Sequence, residues 1–145
     1  MSGFRKIGFG YALDGRSYPA PVVASAEAIY LPCGMDLMGL GLRAGGGAAV
    51  VAKLLSEPRP AGELVVVNGS ELPAEVRDDA TWPLRAITGP LFVLPRGQAS
   101  AVSKAGLQAV RVAAGPRTFD ITVGLFGRGK LLAWLKESGW PVQEG

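Results

Sequence analysis

The sequence predicts a mainly β protein: a single β-sandwich or barrel-like domain with an extended N-terminal arm and a short C-terminal helix. Three observations lead there. Roughly seven or eight short apolar segments recur along the 145 residues, separated by Gly- and Pro-rich breaks, the punctuation of an all-β fold. Several of them alternate apolar and polar residues, which sends alternate side chains to one face of a sheet. Only the last segment, GKLLAWLKESGWP, spaces its apolar residues for a helix.

Residues 1–26 carry no sustained period. Gly8, Gly10 and Gly15 interrupt them, and Pro19 and Pro21 force an extended path through SYPAPVV. This stretch is read as an arm, with an edge strand folded back on its own domain as the equal alternative. In the arm reading, Phe4, Phe9, Tyr11, Tyr18, Pro19 and Pro21 are its contact residues. Although the N-terminus superficially looks like a signal peptide, Asp14 and Arg16 follow a very short apolar stretch, so it is read as mature sequence.

From Glu27 to Gly145 the sandwich domain is expected. Its candidate strands are AIYLP (28–32), DLMGLGLRA (36–44), AAVVAKLLSE (48–57) and ELVVVNG (63–69), the last after the turn PRPAG. PLRAI (83–87), LFVLP (91–95), LQAVRVAAG (107–115) and TFDITVGLF (118–126) complete the set. In the last two, Val110, Val112 and Ala114, then Phe119, Ile121, Val123 and Leu125, make the apolar faces. Leu131, Trp134 and Leu135 stand at helical spacing, with Gly139 as a stop and Pro141 beyond it. A helix is expected over about 130–138.

The composition excludes much chemistry. There is no histidine, which removes the commonest general base and metal ligand and both Ser-His and Cys-His activation. One cysteine, Cys33, rules out a disulfide framework or a multi-cysteine zinc site. As a residue ending an apolar strand it reads as a small buried hydrophobe, with a thiolate nucleophile as the rarer alternative. Net charge is +3, and the basic residues are scattered rather than gathered on one element, so no nucleic-acid partner is expected. No apolar run reaches the length of a membrane-spanning helix, and no membrane partner is expected. A single asparagine (Asn68) and an excess of Arg over Lys fit a thermophile or simply a GC-rich genome.

The motif that most invites a ligand is LRAGGGAAVVAKLL (42–55). Gly39-x-Gly41-x-x-Ala44 is a loose dinucleotide fingerprint, but Glu63 begins the next strand instead of ending it. Alanine rather than lysine follows Gly45, Gly46 and Gly47, so a Walker loop fails too. The preferred reading is a hairpin turn at the glycines. Glu71, Glu75, Asp78 and Asp79 cluster, with Arg77 among them and no calcium-loop spacing, and read as a solvated loop. Trp82, Trp134 and Trp140 remain as aromatic anchors for a partner or the core, Trp82 and Trp140 being the candidate contact residues.

Over about residues 28–126 the order of segments resembles small β-rich virion proteins of tailed bacteriophages, in particular capsid decoration (cement) proteins. The resemblance rests on LGLRAGGGAAVVAKLL, a Pro/Gly turn, ELVVVNG, WPLRAITGPLFVLPRG and a closing TFDITVGL. It implies a non-enzymatic structural protein without cofactor or metal, made in the host cytoplasm and seated on the capsid surface. Its partners would be the major capsid protein or other virion subunits, often with trimeric self-association, and an arm would clamp neighbouring subunits. The C-terminal helix is not a general feature of that family. Two alternatives stay open: a β-sandwich binding module for a carbohydrate or host protein through Trp82, Trp140 and the acidic loop, and an enzyme using Cys33 or the carboxylates.

Overall fold

A computed structural model of the chain describes residues 5–32, 44–45, 65–68, 90–124 and 127–143. In chain order the strands are β1 (Arg5–Gly8), β2 (Gly10–Leu13), β3 (Arg16–Tyr18), β4 (Val22–Ala24) and β5 (Ala28–Pro32). β6 (Ala44–Gly45), β7 (Val65–Asn68), β8 (Pro90–Pro95), β9 (Ala101–Ala105), β10 (Ala109–Ala114) and β11 (Arg117–Thr122) follow, then one helix, α1 (Arg128–Glu137). They form two sheets, ordered β1-β4-β5-β8-β7-β6 and β3-β2-β11-β10-β9. Both sheets are open, so the fold is a sandwich and not a closed barrel.

One face of the first sheet meets the second. Val22, Ala24, Ile29, Leu31, Phe92 and Leu94 join Tyr11, Leu13, Val110, Val112, Phe119 and Ile121 in one buried cluster. The alternation read from the sequence thus sets the inward faces of β10 and β11. The other face of the first sheet is buried as well, at Val23, Ala28, Tyr30, Leu91 and Val93. A strand covered on both faces has no polar side to show, which is why AIYLP and LFVLP are continuous apolar runs.

The expected arm is corrected. Residues 5–24 are four strands, two in each sheet, and Ile7, Tyr11, Leu13 and Tyr18 are core residues. Asp14 (φ 50) and Gly15 (φ 90) close the β2–β3 hairpin between Leu13 and Arg16, a two-residue loop with both central residues at positive φ, as a type I′ turn requires. The chain changes sheets at Gly8. A Cβ there would stand 2.5 Å from Ile121 Cγ2 and 2.7 Å from the Thr122 carbonyl oxygen, so only glycine lets β1 cross so close to β11.

Gly45, expected in a turn, continues β6, which pairs in parallel with β7 through Ala44↔Val66 and Gly45↔Val67. The rest of the expected 36–55 hairpin, Cys33, the 71–79 carboxylates and the 83–87 strand lie outside the described residues, as do Phe4 and Trp82.

Helix α1 buries Leu131, Leu132 and Leu135. It ends as the sequence predicts: Gly139 (φ 94) donates to the Lys136 carbonyl and Trp140 N–H to that of Leu135, the paired bonds of a Schellman motif with Leu135 and Trp140 both buried behind it. Arg96 donates to the Ser138 carbonyl at 2.8 Å, placing a cation at the negative end of the helix. Arg5 of β1 stacks its guanidinium 5.7 Å from the Trp134 ring centre, tying the helix to the edge of the first sheet. The chain then runs beside β9, where Val102 N–H donates to Pro141 and Gln143 N–H donates to Val102.

Candidate functional site

Among the described residues, two large apolar side chains stand in solvent: Phe9 at 56% and Leu107 at 82% exposure. Their positions decide whether they matter. Gly10, just after Phe9, pairs with Thr122 from one side of β11, and Ala109, two residues after Leu107, pairs with Thr122 from the other. Both residues therefore lie just beyond the same end of the second sheet, next to β2 and β10, which flank β11 and stand two spacings, about 10 Å, apart.

Each is held there by backbone bonds. Phe9 N–H donates to the Thr122 carbonyl at 3.1 Å. Leu107 tops the three-residue turn Gly106–Gln108, which Gly106 enters at φ 56. Val123 N–H donates to the Gln108 carbonyl at 2.7 Å, and the Arg128 guanidinium donates to the Gly106 carbonyl at 2.7 Å. The turn is thus pinned from β11 and from the start of α1. Apolar groups fixed before contact lose little freedom on binding, which favours their use as anchors.

The residues proposed from sequence divide differently. Phe9 is exposed, Pro19 exposed and Pro21 half-buried, the two prolines after the edge strand β3. Tyr11, Tyr18 and Trp140 are not surface contacts. Tyr11 and Tyr18 stack at 4.9 Å between ring centres, Tyr18 meets Phe92 edge-on at 6.5 Å, and the Tyr11 hydroxyl donates to the Pro32 carbonyl at 2.8 Å. Trp140 Nε1–H donates to the Ser25 carbonyl at 3.0 Å inside the core. The polar tips of Tyr11 and Trp140 each have a carbonyl to satisfy them, and Tyr18 is held by its two ring contacts, so the three aromatics serve packing.

Sequence reasoning does not mark Leu107 as a contact, because it takes the residue as the start of the strand LQAVRVAAG; there it falls on the face opposite Val110, Val112 and Ala114, which is the signal that it is exposed.

Two ion pairs tie together strands of the second sheet. Arg111 donates to both Asp120 oxygens, at 2.8 and 3.2 Å, directly across β10 and β11, and this pairing holds the guanidinium above its ordinary pKa. Arg117 reaches Asp14 at 2.9 Å, and Thr118 N–H donates to the same carboxylate. Exposed pairs of this kind fix register more than they stabilise. Among the described residues, no group of three or more Asp, Glu or Cys side chains gathers where a metal would sit, and no helix is long and apolar enough to cross a membrane. No family model matches the chain, and neither a curated protein nor a solved structure matches it.

On the helix side, Gly129, Leu132, Ala133 and Lys136 of α1, Lys104 of β9 and Val142–Gln143 line an open groove of about 490 Å³.

Proposed function

We propose that the protein is a non-enzymatic structural subunit that assembles with neighbouring subunits, in the manner of a capsid decoration protein. The observation that carries this reading is the placement of Phe9 and Leu107, the two exposed large apolar side chains among the described residues, at one pinned end of the second sheet. Solvated apolar groups on a rigid end favour a permanent contact, since burying them against a neighbour removes apolar surface from water. The resemblance to decoration proteins supports the same reading and adds an expectation of trimers on a virion surface. The contact mechanism differs from an arm that clamps, because residues 5–24 are committed to the sandwich itself.

Native mass spectrometry across low to high micromolar concentration tests it. The wild type is expected to populate a closed oligomer, and Phe9→Asp combined with Leu107→Asp is expected to return it to monomer. Both positions are exposed, so the double variant should unfold within about 0.5–1 kcal/mol of the wild type. A wild type that stays monomeric throughout, or a double variant that assembles equally well, overturns the proposal.

A further inference from the structure

We infer that the corner where the chain crosses from β8 to β9 is a binding site for an internal water, held by the Gln98 amide and the Ser25 hydroxyl. Ser25 and Gln98 are the two buried polar side chains among the described residues, at 7% and 6% exposure. Gln98 ends the short 3-10 turn Arg96–Gln98 that leads from one sheet to the other, and Ser25 opens the β4–β5 turn. Arg96 N–H donates to the Glu27 carbonyl at 2.9 Å, which sets the two turns side by side. Arg96 and Gly97 are exposed, so of this turn only Gln98 is turned inward.

Both side chains lack bonds that their burial demands. The Ser25 hydroxyl accepts from the N–H groups of Glu27 at 3.1 Å and Ala28 at 3.2 Å, which occupies its lone pairs. Its own proton reaches only the Ala28 carbonyl at 3.5 Å, too far for a full hydroxyl bond. Gln98 is worse placed: Nε2 and Oε1 are both sealed from solvent and neither has a partner in the protein. Because donor and acceptor are orphaned together, flipping the amide satisfies nothing. Each polar atom buried dry would cost roughly tenfold to a hundredfold in the folding equilibrium, which is why such groups bond to protein or to ordered water. Water fits this corner. It accepts from Nε2–H, donates to Oε1 and takes the Ser25 proton, about the three bonds that internal waters make. Gly97 and Ala99 flank Gln98, and Ala28 pairs with Pro95 just before the turn, so small side chains border the site. It involves neither Phe9 nor Leu107 and stands whether or not the protein assembles.

High-resolution crystallography of the full chain tests the inference. An ordered water is expected about 2.7–3.2 Å from Gln98 Nε2 and Oε1 and about 2.5–3.0 Å from Ser25 Oγ. A protein group bonded directly to the Gln98 amide, an amide turned out to solvent, or a dry corner overturns it. Urea unfolding of Gln98→Met gives a second readout, since methionine keeps an unbranched side chain and drops both polar groups. With the amide hydrated, the variant gains nothing, and its folding equilibrium constant equals the wild type's or falls below it. A rise of about tenfold or more would mean that the native amide is buried dry, and the water site would be refuted.

Discussion

Tyr30 sits in the middle of β5, on the face of the first sheet turned away from the second, and is 1% exposed. Burial, with Glu27 adding a smaller repulsion, pushes its hydroxyl pKa up to about 12. In the unfolded chain the same group ionises near 10. Below pH 10 it is neutral in both states and its burial is unopposed. As pH rises from 10 to 12 the unfolded chain releases the proton first, so folding loses stability, by about 3 kcal/mol for a shift of this size. Urea unfolding at pH 8 and at pH 11.5 should show that loss in the wild type and a shallower loss in Tyr30→Phe; parallel curves would count against it. Aromatic residues were also the hardest to place from sequence. Tyr11, Tyr18 and Trp140 each join an apolar body to a polar tip, and only the fold reveals whether that tip meets water or a carbonyl.

Among the elements, long apolar runs and clean alternations were readable, because burial on one face or both leaves a period that survives in the sequence. The helix was readable too, expected over about 130–138 and found at Arg128–Glu137, because Gly139 and the leucine spacing act locally. The short strands β1 to β4 were not. Three or four residues are too few to establish a period, and Pro19 and Pro21 masked the hairpin signal that Asp14–Gly15 carries. The parallel β6–β7 pairing was equally hidden, since pairing partners are not written locally. At this scale the link to test is the one from α1 through Trp140 to β9. Trp140→Phe removes the bond to the Ser25 carbonyl and should cost about 1 kcal/mol, whereas Trp140→Ala should cost about 3–5 kcal/mol. Because Trp140 anchors the segment beside β9, hydrogen exchange at the Val102 and Gln143 amides should accelerate in the Ala variant. Unchanged protection there would mean that the segment is held without the indole.

Over the whole molecule, the two ends of the chain build one sheet. β2 pairs with β11, and the Asp14 carboxylate accepts from the Thr118 amide across more than a hundred residues of sequence. Contacts of such separation demand a large loop closure before they repay it, so the sandwich forms as a unit or not at all. An N-terminal segment built into both sheets cannot be trimmed from a folded core. Deleting residues 1–20 removes β1, β2 and β3 and with them Ile7, Tyr11, Leu13 and Tyr18 from the shared cluster. At about 1.5–3 kcal/mol for each large buried side chain, that is about 6–12 kcal/mol, comparable to the entire net stability of an ordinary domain, about 5–15 kcal/mol. The deletion also strips β11 of its partner on one side and leaves a row of unpaired backbone groups next to an opened core. The shortened chain is therefore expected to show no cooperative thermal transition and to aggregate, whereas Phe9→Asp with Leu107→Asp keeps its transition and loses only its assembly. Calorimetry separates the two. A deletion variant that melts cooperatively with native-like circular dichroism would mean that β4 to β11 and α1 suffice, and that the N-terminal strands are an addition to the sandwich rather than part of its core.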